Sequence, residues 1–393
     1  MSTPFRFKNA DNTTVDFEDY YIKADYFRSG NLWTWGNNSL YGHLGDNTIT
    51  NRSSPVQTIT FGSNWKQIAL GDTITAAIKT DGTLWCWGYN GTGSLGDNTI
   101  ADKSSPVQTI AGGTKWKQVS AGREVISAIN TDGILWIWGR NLYGQLGDNT
   151  NTNVSSPIQT VTFGTNWKQV SCGAFNIAAI KTDGTLWNWG YNNVGQLGDN
   201  TTTHRSSPVQ TVAGGTNWKQ VSAGYYHTAA IKTDGTLWIW GSNSYGLLGD
   251  NTIVKKSSPV QTIAFGTNWK QVSVGAFYHI AATKTDGTLW SWGRNSYGEL
   301  GDNTTIHRSS PVQTVAFGTK WKQVSCGRLH TAAVKTDGTL WAWGDNPFGN
   351  LGDNTTDDRS SPVQTIMFGT NWKETFCGVY YYTAAIQYQD DYQ

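Results

Sequence analysis

The sequence predicts an all-β protein, a seven-bladed β-propeller of four-stranded blades closed by a composite blade drawn from both ends of the chain. Three observations carry this. The motif Leu-Trp-x-Trp-Gly recurs seven times, with its first Trp at Trp33, Trp85, Trp136, Trp187, Trp238, Trp290 and Trp341, in steps of 51 or 52 residues. Each unit reads as four short strands, and no segment holds the 3.6-residue period of a helix over three turns. The first repeat begins at its Leu-Trp-x-Trp half, whereas the last ends on Trp372-Lys-Glu-Thr-Phe and Thr383-Ala-Ala-Ile, so the two halves add up to one blade.

One unit shows the elements in order. Lys219-Gln-Val-Ser is a strand, Gly224-Tyr-Tyr-His a loop, Thr228-Ala-Ala-Ile-Lys a second strand and Thr233-Asp-Gly-Thr a turn. Asp-Gly between apolar runs is a hairpin signal because Gly accepts the positive φ of a tight turn. Leu237-Trp-Ile-Trp is the third strand, a loop ends in Leu248-Gly-Asp-Asn, and Pro259-Val-Gln-Thr-Ile is the fourth. Other β-solenoids are the main alternative, but a solenoid needs dissimilar caps at its ends, and here the ends complement each other. The Ala-Ala strand is expected innermost, where seven strands converge, and the Trp-rich strands between blades. A third Trp per unit, Trp65 to Trp372, completes the chain's 21, leaving none for a special role.

The pattern Gly-x-x-His-Thr-Ala-Ala-x-x-x-x-Asp-Gly-x-Leu-Trp-x-Trp-Gly-x-Asn-x-x-Gly-x-Leu-Gly, nearly complete at 224–249 and 327–352, resembles the regulator-of-chromosome-condensation repeat, over roughly residues 32 to 386. The resemblance implies a seven-bladed propeller, in agreement with the count of units. Founding members exchange guanine nucleotide on a small GTPase and dock on chromatin, so an intracellular scaffold or exchange-factor-like propeller is the alternative function. Exchange would be expected to need insertions beyond the bare blade, and chromatin docking a basic tail. Here every unit has 51 or 52 residues, and the N-terminal segment sets Asp11, Asp16, Glu18 and Asp19 against Arg6, Lys8 and Lys23.

Composition narrows the classes further. With 29 Lys plus Arg against 28 Asp plus Glu, a net charge of +1 provides no basic excess for a nucleic-acid partner. No 18-residue apolar run exists, so no membrane insertion is expected, and the first residues lack a secretory signal, which places synthesis in a cytoplasm. Cys86, Cys172, Cys326 and Cys377 have no C-x-x-C spacing and read as small buried fillers. Asp46, Asp97, Asp148, Asp199, Asp250, Asp302 and Asp353, each before Asn, read as Asx turns more readily than calcium ligands. Arg52, Lys103, Arg205, Lys256, Arg308 and Arg359 each lie near one of these acids and are expected to be neutralised locally. No nucleophile elbow, P-loop, dinucleotide fingerprint or zinc-protease motif is present. A non-enzymatic protein without cofactor or metal is the expectation.

Differences among the copies locate a candidate surface. The Asp-Gly hairpins are nearly invariant, while the segments after Val-Ser-x-Gly and after Trp-Gly vary. In an up-and-down blade both variable loops fall on one face and the invariant turns on the other. Arg123, Phe175, Tyr225, Tyr226, His227, Phe277, Tyr278, His279, Arg328, His330, Tyr380, Tyr381 and Tyr382 are the candidate partner-binding residues, ringing the channel mouth. Tyr with small polar residues gives large, rigid contacts at low entropy cost, suiting a host-surface glycan or protein. His227, His279 and His330 share one repeat position and could converge on a metal, but Ile74, Val125 and Asn176 hold that position elsewhere, which favours packed histidines. Tyr143, Tyr245, Tyr297 and Phe348 are expected to pack beneath their loops.

Residues 1–31 are not a repeat and join residues 32–393, the propeller, without a Gly/Ser linker. They resemble the leader of tailed-phage virion proteins that carry such repeats. The preferred expectation is therefore a phage tail, neck or fibre component, located in the virion, binding other virion proteins through residues 1–31 and presenting its variable face to the host.

Overall fold

The computed structural model describes residues 6–8, 14–16, 30–59, 64–110, 115–161, 164–212, 215–263, 266–315, 320–366 and 369–388. Five separate four-stranded antiparallel sheets and one eight-stranded sheet holding two further blades make seven blades. In the fourth full blade the strands Trp218–Ala223, His227–Lys232, Leu237–Gly241 and Lys256–Gln261 lie in that order, from channel to rim. The composite blade pairs Trp372–Cys377, Tyr382–Tyr388, Gly30–Gly36 and Arg52–Gln57. Its closing register, Leu32 with Ile386 and Trp33 with Ala385, joins the two ends of the chain as the half-repeats required. A single bridge, Gly30 to Trp65, connects it to the first full blade. Of the N-terminal segment, Arg6–Lys8 pairs antiparallel with Thr14–Asp16, and Gly30 and Asn31 already belong to the closing strand of the composite blade; the remainder of the expected virion attachment piece lies outside the described residues.

The innermost strand is the Trp-Lys-Gln-Val-Ser strand, not the Ala-Ala strand. The reason lies in what an inner edge must satisfy. Unpaired backbone groups at a sheet edge need partners, and Gln supplies them: Gln118 donates Nε2–H to the Val170 carbonyl at 3.1 Å and accepts the Val170 N–H at 3.0 Å. Gln169 clasps Val221, and Gln220 clasps Val272, in the same way. The Ala-Ala strand lies second and is buried except for its last residue or two, its methyls leaving room for the tryptophans of neighbouring blades.

Those tryptophans fill the seams as expected. Trp35, Trp87, Trp138, Trp189, Trp240, Trp292 and Trp343 are fully buried, and Trp240 packs 6.2 Å from Trp218. The outer strands repeat Ser-Ser-Pro-Val or a close variant, and proline on the outer edge withholds a donor that a foreign strand would use. Each blade is tied to the next by a loop Asn in the left-handed region: Asn200, at φ 60°, donates its N–H to Ser257 O at 2.9 Å. All four cysteines are buried and free.

Candidate functional site

Antiparallel order sends the loops between first and second strands, and between third and fourth, to the same face. Contacts between the two sets confirm it: Tyr143 of one lies 5.4 Å from Phe175 of the other, and Tyr191 lies 6.2 Å from Tyr226. The Asp-Gly turns meet the remaining loops on the opposite face, where Thr80 N–H donates to Asn64 O.

Under the rim, each third-to-fourth loop is built on one Asn and one Asp. Asn192 Nδ2–H donates to Asp199 Oδ1 at 3.1 Å, Thr201 N–H and hydroxyl both donate to the same oxygen, and Arg205 pairs with Oδ2 at 2.8 Å. These bonds hold the Asp199 carboxyl below its ordinary range against the desolvation that pushes it up. Arg52, Arg308 and Arg359 repeat the pair at 2.8 to 2.9 Å, so the expected Asx turns are present. The expected local neutralisation holds for the four arginines and not for Lys103 or Lys256, whose amines form no ion pair with Asp97 or Asp250 among the described residues.

At the mouth, the expected ring of equivalent exposed aromatics is replaced by two unlike halves. In the third to fifth full blades, Phe175, Tyr225 and Phe277 pack together, with ring centroids 6.0 Å apart for the first pair and 4.3 Å for the second. Phe175 and Tyr225 are buried, which corrects their reading as contact residues: they form the floor. Tyr226, Phe277 and Tyr278 stay half-buried around it. Around the composite, first, second and sixth blades the mouth stays open as a cavity of about 490 Å³ lined by Asp72, Arg123, Glu124, Arg328, Tyr380 and Tyr381, among others.

Aspartate 72 joins the halves. Its Oδ2 accepts a short hydrogen bond from the Tyr225 hydroxyl across the channel, and Arg123 Nε lies 3.6 Å away. Burial pushes its carboxyl up to about 7 against the lowering effects of Tyr225 and Arg123. Arg123 sits 5.2 Å from the Phe175 ring, and Arg328 lies 5.3 Å from Phe277 and 5.5 Å from Tyr381. These ring contacts hold each guanidinium in place. Sequence reasoning missed Asp72, Glu124 and His43. The available signal was Asp72 itself, the sole acid at a position that is Arg123, Ala174, Tyr225, Ala276, Arg328 or Val379 in other units.

His227, His279 and His330 are fully buried between blades and do not present themselves to a partner. His279 Nε2 shares a hydrogen bond with Thr331 Oγ1 at 3.1 Å, and His330 Nε2 with Thr383 Oγ1 at 3.2 Å. His227 faces the blade in which the equivalent residue is Ile280, and neither of its nitrogens has a partner. Desolvation lowers His227 and His279 to about 3 and His330 to about 4. Tyr382 is likewise buried, its hydroxyl donating to Ile74 O at 2.8 Å. These four are seam residues, removed from the contact set because their repeat position begins the second strand. Among the described residues no group of three His, Cys, Asp or Glu is placed to hold a metal ion, and no helix is long and apolar enough to cross a membrane. Tyr143 and Phe348 pack on Phe175 and Tyr381 as expected, whereas Tyr245 and Tyr297 are exposed and extend the rim.

Seven blades with a Gln-clasped channel, Trp-filled seams and one loop-rich mouth define a propeller of the chromosome-condensation-regulator type. The chain belongs to the RCC1-like domain family, whose profile matches residues 28–384. The ultraviolet-B receptor UVR8 of Arabidopsis thaliana is 33% identical over 337 residues, covering 84% of this chain and 76% of that protein. The E3 ubiquitin-protein ligase HERC2 of Homo sapiens is 27% identical over 367 residues, 89% of this chain but 7% of that much longer protein. Among solved structures, Prp20p of Saccharomyces cerevisiae superimposes with a TM-score of 0.81 at 20% identity, over 94% of this chain and 95% of that one. Human WBSCR16 also gives 0.81, at 22% identity over 92% and 100%. None of these four has a virion role in its name, and the expectation of a phage component gains no support from them.

Proposed function

We propose that the protein is a non-enzymatic protein-binding propeller, an intracellular scaffold whose channel-mouth face is the contact surface. The observation that carries this reading is the gathering of half-exposed Tyr226, Tyr278, Tyr380, Tyr381, Arg123 and Arg328 on one face, over a floor of packed aromatics. Large aromatic and Arg groups over a dry base are the composition of an interface centre. The names of relatives agree with it: the Prp20p structure is described together with binding to Gsp1p and histones, and UVR8 is a receptor. Exchange-factor activity is the narrower form of this reading and rests on shared fold alone. The virion setting has no observation in its favour beyond residues 1–31, so the scaffold takes precedence.

The test is site-specific photo-crosslinking in the cell that makes the protein. Benzoylphenylalanine placed at Tyr226 or Tyr380 should give covalent partner adducts, while placement at Asp183, on the Asp-Gly face, should give none. Adducts from Asp183 equal to those from the mouth would overturn the assignment of the face.

A further inference from the structure

The open half of the mouth contains two guanidiniums whose hydrogen-bonding capacity is unused. Arg328 rests between Phe277 and Tyr381, and no ion pair or hydrogen bond joins it to any other described residue. Arg123 has only long ion pairs, 3.6 Å to Asp72 and 3.8 Å to Glu124. Seated on rings, both forks are fixed in orientation and aimed at the same cavity of about 490 Å³. A planar fork that has already lost its rotamer freedom binds a carboxylate with less entropy cost than a free lysine.

Two buried groups in the cavity wall have hydrogen-bonding atoms without partners. Asp72, with a side chain 2% exposed, has no partner for Oδ1. His43 is buried with both ring nitrogens unpartnered. Buried polar atoms left unbonded cost free energy, and a ligand that bonds them recovers it.

We propose that this cavity binds a carboxylate side chain presented by an acidic segment of a protein partner, clamped between Arg123 and Arg328. The inference deepens the protein-binding reading and rests on it. A cation directed to Asp72 is disfavoured because both guanidiniums flank that carboxyl. A peptide segment is favoured over a free small acid because the cavity wall rises to Leu40, 74% exposed, and Tyr380, 39% exposed, which a chain crossing the rim would cover.

Asp72 is faced by the Tyr225 hydroxyl, Arg123, Glu124, Arg328, Tyr382 and, across the cavity, His43. Beside an incoming carboxylate it takes a proton from solvent on Oδ1 and donates it to the ligand, since two ionised carboxylates cannot share the site. Binding is therefore tighter at pH 6 than at pH 8.

The experiment is calorimetric titration of the whole protein with an end-capped hexaglutamate peptide, the matching hexaglutamine peptide, and succinate. Hexaglutamate should bind, and each of Arg123→Gln and Arg328→Gln should weaken it by roughly tenfold. Arg328→Lys, which keeps the charge but not the fork, should recover only part. Lys168→Gln, on an exposed lysine elsewhere, should change nothing. Thermal melts of every variant identify any that fails to fold. Equal binding of hexaglutamine, equal loss on Lys168→Gln, or succinate binding as tightly as the peptide would each overturn the proposal. Mouth-face crosslinks that persist while hexaglutamate does not bind would sink the carboxylate clamp alone, whereas crosslinks from Asp183 would sink the choice of face.

Discussion

The indole N–H of Trp35 donates to the backbone carbonyl of Asn350 at 2.9 Å, tying residues 315 positions apart across the closing seam of the ring. The same bond recurs in every blade: Trp87 to His43, Trp138 to Ser94, Trp189 to Gln145, Trp240 to Gln196, Trp292 to Leu247 and Trp343 to Glu299, all between 2.8 and 3.0 Å. Because the acceptor is always main chain, the side chain there is free to differ, and the loops can diversify without loosening the seams.

Trp35→Phe removes this donor and leaves the Asn350 carbonyl with only its bond from the Thr383 hydroxyl, at 2.8 Å, which should cost about 1 kcal/mol. Trp33 on the same strand is a matched control. It is half-buried, and its own Nε1 has no partner, so Trp33→Phe discards an unsatisfied donor and should cost less. Denaturant melts of the two variants decide the matter, and an equal loss would refute the role of the bond.

The Gln clasp fails at one seam. Gln67, Gln118, Gln169, Gln220, Gln271 and Gln323 each bridge to the next inner strand, but the seventh position, facing Trp65–Leu70, is Glu374, which has no amide to donate. Burial pushes its carboxyl above the ordinary range. A raised folded value means that the contribution of the protonated form is complete below the unfolded pKa and is lost as pH rises through the folded one. Glu374→Gln should therefore stabilise the ring at pH 7, by about 1 kcal/mol, with the gain shrinking as pH falls through the raised value toward the ordinary glutamate range. Melting curves at pH 7 and pH 4 provide the test.

Much of this architecture was legible in the sequence because one unit is written seven times, and offsets among Trp, Gly and Asp leave little freedom in strand order. The identity of the inner strand was not. Whether Gln118 reaches Val170 depends on the distance between blades near the axis, and no local pattern encodes that distance. The floor of the mouth was hidden for a related reason: Tyr225 and Asp72 lie 153 residues apart and meet only because the ring is closed. Histidines 227, 279 and 330 were misplaced by a single step, from the loop to the first residue of a strand.

Left-handed Asn residues tie the blades at the rim. At Asn200, φ is 60° and the N–H is bonded to Ser257 O. Glycine accepts that conformation freely, whereas a β-branched side chain does not. Asn200→Gly should be near neutral, and Asn200→Val should cost about 1 to 2 kcal/mol, measured by chemical denaturation.

Buried titratable groups set opposite limits on stability with pH. Asp72, raised by burial to about 7, loses its contribution as pH rises through that value. His43, lowered to about 4, and His227 and His279, lowered to about 3, act in the other sense. Their contribution is complete above the ordinary histidine pKa and is lost as pH falls toward the folded values. Between pH 6 and pH 8 the two effects oppose each other, so the melting temperature should rise more steeply with pH in Asp72→Asn than in the wild type. On the acid side, His227→Asn, which copies Asn176 at the equivalent position, should reduce the loss between pH 6 and pH 4. Calorimetric scans across this range check both.

The aromatic mouth allows contact to be separated from packing. Tyr225 is 5% exposed and bonded to Asp72, so Tyr225→Ala opens a cavity in the floor and should destabilise by about 3 kcal/mol or more. Tyr226, Tyr278 and Tyr380 are half-buried or exposed, so their combined replacement by Ala should leave the melting temperature close to that of the wild type, as surface changes usually do. If the mouth is the contact surface, this triple variant should lose the partner adducts formed from a photo-crosslinker at Tyr381, whereas Tyr225→Ala should lower stability first and binding only in proportion to unfolding. Retention of full crosslinking by a folded triple variant would show that the aromatics are rim packing and that the partner is held elsewhere.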